Sequence, residues 1–213
     1  MLAPAIKICG INTAETLAAV IAGRADYVGF NFFARSPRFV SLDLVKPLAA
    51  QAAGRISRVG VFVDESDTVI AAAIAAAQLD VLQFHGGESA ARAAELRARF
   101  VLPVWKVISV ASHADLAHAA DYVGAADFIL LDAKTPKGDL PGGMGLSFDW
   151  ALLNGWQAPL AWGLAGGLTV GNVGAAIAQT GAPLVDTSSG VETAPGVKDS
   201  ALITTFCAAA RAV

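Results

Sequence analysis

Short apolar segments alternate with helical segments along the whole chain, and this alternation limits the possible folds more than any other feature. The apolar segments are rich in Val, Ile and Leu, as is typical of parallel strands covered on both faces. The eight predicted strands are residues 6–9, 27–32, 57–63, 81–85, 103–109, 127–131, 160–164 and 183–187. In a chain of 213 residues, eight strand–helix units match the lower size limit of a (β/α)8 barrel.

A doubly wound open sheet uses the same alternation and is the alternative architecture. Two observations favour the barrel: the strand count closes at eight, and no Gly-x-Gly-x-x-Gly turn follows the first strand. No linker or change of composition divides the sequence, and 55% of its residues are hydrophobic, enough for one large core. We therefore predict an α/β fold in which residues 1–213 form a single TIM barrel domain.

Composition also limits the partners. The formal net charge is −3 with no basic block, which gives no support to nucleic-acid binding. No apolar run approaches the roughly 20 residues of a membrane helix, and the N-terminus lacks a signal pattern. Cys9 and Cys207 lie far apart in the chain, which favours two reduced thiols. We expect a cytoplasmic protein without nucleic-acid or membrane partners, either a monomer or a homodimer.

Cys9 is the first candidate for chemistry. Side chains alternate along a strand, so Lys7 and Cys9 share one face while Ile6 and Ile8 share the other. Cys9 comes at the end of its strand, just before Gly10, and sites in parallel α/β proteins are built at that end. A lone strand cysteine is more often a small core residue. Here, Lys7 and nearby helix N-termini would favour a thiolate, which can act as a base or a nucleophile.

Asp132 closes an apolar strand and is the second candidate. It could cap the next turn or pair with Lys134. At the top of a barrel strand, however, partial burial would favour the protonated form, which can donate a proton. The loop that follows, from Ala133 to Gly145, contains two prolines and four glycines, which excludes a helix. Its position after Asp132 predicts a lid over the site rather than a surface insertion.

Arg38 follows Ser36-Pro37 just after the second strand. A loop arginine is usually solvated, and Arg35 competes for any functional role. Pro37 stiffens the approach to Arg38, which would help its planar guanidinium bind a carboxylate.

Two strand ends carry glycines. Gly166 and Gly167 follow the seventh strand, with Thr169 predicted to open the next helix, and Ser189 and Gly190 follow the eighth. Backbone N–H groups at these two positions form the recurrent phosphate site of such barrels.

Three further polar side chains are predicted to lie at strand ends. Asp186 points inward on the eighth strand and could bond a sugar hydroxyl or pair with Lys7. Gln83 and His85 end the fourth strand, and for His85 a structural hydrogen-bonding role is favoured. No cluster with metal-ligand spacing appears, so we predict no metal site.

Taken together, these residues resemble the phosphoribosylanthranilate isomerase family of tryptophan biosynthesis, nearly from end to end. The motifs that carry the resemblance are Lys7-Ile8-Cys9-Gly10-Ile11, Ser36-Pro37-Arg38-Phe39-Val40, Gln83-Phe84-His85-Gly86, Leu130-Leu131-Asp132, Gly142-Gly143, Gly145, Phe148-Asp149-Trp150, Leu164-Ala165-Gly166-Gly167-Leu168 and Asp186-Thr187-Ser188-Ser189-Gly190-Val191-Glu192. Each motif alone is weak, but their joint order at strand ends is specific. Met144 departs from the family, which usually has a threonine there.

The resemblance implies a cofactor-free Amadori isomerase with a phosphorylated small-molecule substrate, N-(5-phosphoribosyl)anthranilate. It implies that Cys9 is the general base, Asp132 the general acid and Arg38 the ligand of the anthranilate carboxylate. The phosphate ligands would be Gly166, Gly167, Ser189 and Gly190. The alternatives are another phosphate-binding barrel isomerase or epimerase, and a catalytically silent barrel that acts as a binding partner.

Overall fold

The protein forms a closed barrel of eight parallel strands, as the alternation predicted. The computed structural model describes residues 3–135, 143 and 145–213. Neighbouring strands follow chain order around the barrel, and the last strand pairs with the first. The strands are β1 (Ala5–Cys9), β2 (Tyr27–Asn31), β3 (Ser57–Phe62), β4 (Val81–Phe84), β5 (Val104–Val110), β6 (Phe128–Ala133), β7 (Ala161–Leu164) and β8 (Leu184–Thr187).

Helices surround the barrel. They are α1 (Ala14–Ala22), α2 (Leu42–Ala52), α3 (Asp67–Ala77), α4 (Ala90–Phe100), α5 (His113–Ala117), α6 (Val173–Thr180) and α7 (Ser200–Arg211). Among the described residues, the connection from β6 to β7 contains only a 3-10 helix, Trp150–Leu153, so one of the eight strand–helix units departs from the repeat. Several helices begin at a side-chain cap; for example, the Thr13 hydroxyl accepts a hydrogen bond from the backbone of Thr16.

The alternation along β1 is confirmed. Ile6 and Ile8 are fully buried in the main hydrophobic core, between the barrel and the helices. Lys7 lies on the opposite face and pairs in register with Asp186 of β8. The barrel interior therefore receives the polar side chains of β1 and the outer core receives the apolar ones.

A second, smaller apolar cluster lies inside the barrel and includes Val59, Trp105, Leu130 and Leu184. The Trp105 ring packs against Tyr27 and Phe128 with ring centroids 4.9 and 4.6 Å away. This cluster fills one end of the barrel with apolar side chains, so the polar residues gather toward the other end.

A small hairpin between β8 and α7 is absent from the sequence prediction. Its strands are β9 (Glu192–Ala194) and β10 (Val197–Lys198), and they are antiparallel. At the turn, Gly196 has a φ of +82°, and a Cβ there would lie 2.4 Å from the carbonyl oxygen of Pro37. The hairpin thus packs directly on the loop that carries Arg38.

Candidate active site

A cavity of about 370 Å³ opens at the carboxyl ends of the barrel strands. Its volume lies within the range of small-molecule sites. The predicted residues that line it are Cys9, Arg38, Asp132, Gly166, Gly167, Asp186 and Ser189. Cys9 and Asp132 come from β1 and β6, so the two proton-transfer candidates share one cavity. Gly190 is not part of the lining. A Cβ there would collide with the carbonyl of Leu168, so Gly190 allows the loops after β7 and β8 to approach each other.

The Cys9 side chain is held in a dry position beside a cation. Gly29 of β2 pairs with it in register, and a Cβ at Gly29 would lie 2.9 Å from the sulfur. Burial raises the pKa of the Cys9 thiol, and the Lys7 ammonium offsets this only in part. The cation acts in the predicted direction, but desolvation outweighs it. Cys9 is therefore a protonated thiol at neutral pH in the free protein.

Lys7 and Asp186 form a buried ion pair below Cys9. The Lys7 Nζ lies 2.8 Å from Oδ2 of Asp186, and the Lys7 side chain is fully buried. Burial alone would lower the pKa of Lys7, but the Asp186 carboxylate raises it above its ordinary value, so the ammonium is retained. The other oxygen of Asp186 has no hydrogen-bond partner among the described residues. Asp186 therefore pairs with Lys7 and keeps one acceptor for a hydroxyl donor.

Asp132 faces His85 rather than Lys134. Its Oδ2 lies 3.3 Å from His85 Nε2, and its Oδ1 accepts a hydrogen bond of 2.8 Å from the backbone of Ala133. Lys134 instead donates to Asp115, at 2.9 Å. His85 thus lies within ion-pair distance of the candidate acid, and its structural hydrogen-bonding role stays a prediction.

Gly166 packs against this carboxylate. It has a φ of +86°, and a Cβ there would lie 3.0 Å from Asp132 Oδ1. The end of β7 approaches Asp132 this closely because Gly166 has no side chain.

Arg38 is buried, whereas Arg35 is exposed. The Arg38 guanidinium donates from Nε to Glu192 Oε1 at 2.8 Å and from Nη2 to Oε2 at 2.7 Å. Nη2 also donates to the carbonyl of Gly143, at 2.9 Å. Gly10 makes room for this side chain, since a Cβ there would lie 2.7 Å from Cδ of Arg38. Of the two candidate arginines, only Arg38 lines the cavity.

The loop after β7 differs from its prediction. The α6 helix begins at Val173 and not near Thr169. Asn172 accepts a hydrogen bond from the backbone of Thr169 and donates one to the carbonyl of Gly167, at 2.7 and 2.9 Å. These bonds hold the segment in a turn, which delays the helix. Gly167 has a φ of +61°, and a Cβ there would lie 2.9 Å from the carbonyl of Leu146.

Glu192 and Lys198 were assigned no role from the sequence. Lys198 Nζ lies 2.6 Å from Glu192 Oε1, and both side chains are buried. Arg38 and Lys198 together lower the pKa of Glu192, against the effect of burial. One sequence signal could have identified Glu192: this glutamate comes just after the end of a strand that carries candidate ligands.

The predicted lid falls largely outside the described residues. This applies to residues 136–142 and to Met144. Among the residues that are described, no group of three or more His, Cys, Asp or Glu side chains could hold a metal ion. Nor, in that part of the chain, does any helix have the length and apolar character needed to cross a bilayer.

Comparison with known proteins identifies the family of this chain. A family model for N-(5'phosphoribosyl)anthranilate (PRA) isomerase matches residues 6–209. The N-(5'-phosphoribosyl)anthranilate isomerase of Cereibacter sphaeroides is 51% identical over 209 residues, 97% of this chain and 98% of that protein. The phosphoribosyl anthranilate isomerase structure from Thermotoga maritima has a TM-score of 0.88 at 33% identity and covers 99% of this chain and 100% of that one.

A further solved structure is a phosphoribosyl anthranilate isomerase in complex with reduced 1-(o-carboxyphenylamino)-1-deoxyribulose 5-phosphate. Its TM-score is 0.85 at 31% identity, over 99% of this chain and 100% of that one. The family model spans nearly the whole sequence, and the relatives align over nearly their full lengths. This chain therefore belongs to the N-(5'-phosphoribosyl)anthranilate isomerase family.

Proposed function

We propose that this protein converts N-(5-phosphoribosyl)anthranilate into 1-(2-carboxyphenylamino)-1-deoxyribulose 5-phosphate, a step of tryptophan biosynthesis. The observation that carries the proposal is the shared cavity of Cys9 and Asp132, with Arg38 at its edge. A solved relative holds the reduced form of this product, which supports the same ligand class here. The reaction is an internal oxidation and reduction of neighbouring carbons, so it needs no external electron carrier.

The two ends of the substrate would be anchored separately. Gly166, Gly167 and Ser189 line the cavity at the ends of β7 and β8, where backbone N–H groups suit a phosphate. Arg38 would take the anthranilate carboxylate. Anchors at both ends place the ribose carbons between Cys9 and Asp132 and reduce the entropy cost of reaching the reactive geometry.

Asp132 acts first as the acid in this mechanism. It protonates the ribose ring oxygen as the C1–O bond breaks, and the anthranilate nitrogen lone pair forms an iminium ion at C1. The iminium ion acidifies the hydrogen on C2. Cys9, as the thiolate, removes that proton and leaves an enolamine, which tautomerises to the C2 ketone. Each proton-transfer group contributes on the order of 10²–10⁴ to the rate.

The proposed roles require Cys9 to change its protonation state before it acts. Because burial keeps Cys9 protonated at neutral pH, its proton must leave before it can act as a base. Lys7 lies on the same strand face and stabilises the thiolate once it forms. The rate should therefore rise with pH as the thiol ionises.

Anthranilate fluorescence tests the proposed activity directly. The unstable substrate is generated in situ, and the loss of its fluorescence is followed after the protein is added. We expect a loss faster than the spontaneous rate, with the product ketose identified by chromatography. A rate equal to the spontaneous one would reject the isomerase and leave the other phosphate-binding or silent barrels as candidates.

A further inference from the structure

The proposed mechanism leaves one buried group of charges unexplained. We use the name hairpin cluster for Arg38, Glu192 and Lys198, whose side chains are 9%, 3% and 0% exposed. Burying three charges costs solvation free energy, and replacing such clusters with apolar residues is often neutral or stabilising. A cluster of this kind at the rim of the cavity therefore calls for an explanation other than stability.

Glu192 determines how the Arg38 guanidinium lies. Its two carboxylate oxygens accept from Nε and Nη2 of Arg38, which fixes the plane of the group. Nη2 uses its second hydrogen on the Gly143 carbonyl. No described residue accepts a hydrogen bond from Nη1. The guanidinium plane is thus held along the edge formed by Nε and Nη2.

Lys198 ties Glu192 to the strand that carries the candidate base. Its Nζ donates to the carbonyl of Ser188 at 2.9 Å and to the Ser188 hydroxyl at 3.1 Å, as well as to Glu192. The Ser188 hydroxyl in turn donates to the backbone carbonyl of Cys9, at 3.1 Å. A continuous chain of hydrogen bonds therefore runs from the Arg38 guanidinium to the end of β1.

We propose that Glu192, supported by Lys198, is a positioning residue that aligns Arg38 with Cys9 so that the substrate carboxylate is bound in register with the proton-transfer site. This inference rests on the proposed function. Glu192 lines the cavity as well, but in this proposal it acts through Arg38 and not on the reacting carbons. The cluster has one net positive charge, which the carboxylate of the substrate would neutralise.

Two ligands that differ only in the aryl carboxylate separate positioning from simple structural support. The first is reduced 1-(o-carboxyphenylamino)-1-deoxyribulose 5-phosphate, and the second is its phenylamino counterpart without the carboxylate. The ratio of their dissociation constants measures carboxylate recognition. Arg38→Ala removes the proposed carboxylate ligand and so defines complete loss of carboxylate recognition. It should raise KM more than it lowers kcat, and it should bring the ratio of the two dissociation constants close to one.

Glu192→Gln should lower the preference for the carboxylate ligand by about 10- to 100-fold, the range expected for a charged hydrogen bond. It should raise KM with little change in kcat. When Glu192→Gln is combined with Arg38→Ala, it should add little to the loss of carboxylate preference that Arg38→Ala causes alone. Glu95→Gln, which removes a partner of Arg92 on an exposed helix face, is the matched control and should leave the ratio unchanged.

Removal of Glu192 alone leaves two buried cations, and their repulsion and desolvation destabilise the fold. Glu192→Gln combined with Lys198→Met removes one charge of each sign and keeps the net charge of the cluster. It should show the same loss of carboxylate preference. An equal fall in affinity for both ligands, or an unchanged ratio in a folded variant, would overturn the positioning role. Absence of turnover in the wild-type protein would instead reject the proposed function.

Discussion

The two sides of the barrel mouth hold their candidate proton-transfer groups in different ways. On the base side, Cys9 lies beside the buried ion pair of Lys7 and Asp186. On the acid side, Asp132 has one backbone hydrogen bond and one contact with His85, whose side chain is 12% exposed. A thiol needs a nearby cation to become a base in a dry site, whereas a carboxylic acid can donate its proton without one.

Changing the base should give the largest effect. Cys9→Ser replaces the thiol with a far less acidic hydroxyl, and we expect kcat to fall by about 10⁴-fold or more, at the upper end for a proton-transfer group. The measurement is the loss of anthranilate fluorescence, with calorimetric binding of the reduced product to prove that the site is intact. Cys207→Ser, a buried cysteine in α7 outside the cavity lining, is the matched control. Turnover of Cys9→Ser close to the wild-type rate would reject the base assignment.

Changing the acid should cost somewhat less. Asp132→Asn keeps the shape of the side chain and an acceptor for the backbone of Ala133, but it has no acidic proton to give. We expect kcat to fall by about 10²–10⁴-fold, with product affinity preserved. Asp121→Asn, at an exposed position beside His118, provides the control. If Asp132→Asn kept full activity, the ring oxygen would have to be protonated by another group.

Much of this arrangement follows from local sequence patterns. The strand alternation gave the barrel, and the two-residue period along β1 placed Lys7 and Cys9 on the inner face. Asp132 and Arg38 were found because strand ends and the loops after them build the sites of such barrels. These sequence patterns are local, so they can be recognised without knowledge of the tertiary packing.

The remaining features depend on contacts between distant parts of the chain. The pairing of Glu192 with Arg38 spans 154 residues, and neither residue's local sequence contains it. The short hairpin that carries Glu192 packs on Pro37, and its few residues have no strong strand pattern. The delayed start of α6 depends on the Asn172 side chain bonding backward to the turn. Tertiary packing and side-chain turns outweighed local propensity at these places.

The third prediction tests the cation on the base side. Lys7→Met removes the cation that lowers the pKa of Cys9 against the effect of burial, so the pKa of the thiol should rise further. The pH at which kcat/KM reaches half of its maximum should therefore rise. The rate near neutral pH should fall about tenfold for each pH unit of that rise. Breaking the buried pair should also lower the free energy of unfolding by about 3–5 kcal/mol.

Lys7→Met combined with Asp186→Asn is the matched control for the loss of the pair. It removes both charges, so it should recover much of the lost stability. The upward movement of the pH profile should remain in part, because the cation is still missing. A profile identical to that of the wild-type protein in a folded Lys7→Met variant would contradict the role given to Lys7.

The smallest effect is expected from the neighbour of the acid. His85→Asn removes the ring that faces Asp132 but leaves the hydrogen bond from the Ala133 backbone, so the carboxyl group keeps one of its two contacts. We expect kcat to fall by less than about tenfold, the scale of a partly solvated polar contact. The pH profile set by the thiol should not move. Side-by-side assays of His85→Asn and Lys7→Met would sharpen the contrast between the two sides. If His85→Asn lost as much activity as Lys7→Met, the acid would depend on its neighbour as strongly as the base does. The proposed difference between the two sides of the barrel mouth would then be wrong.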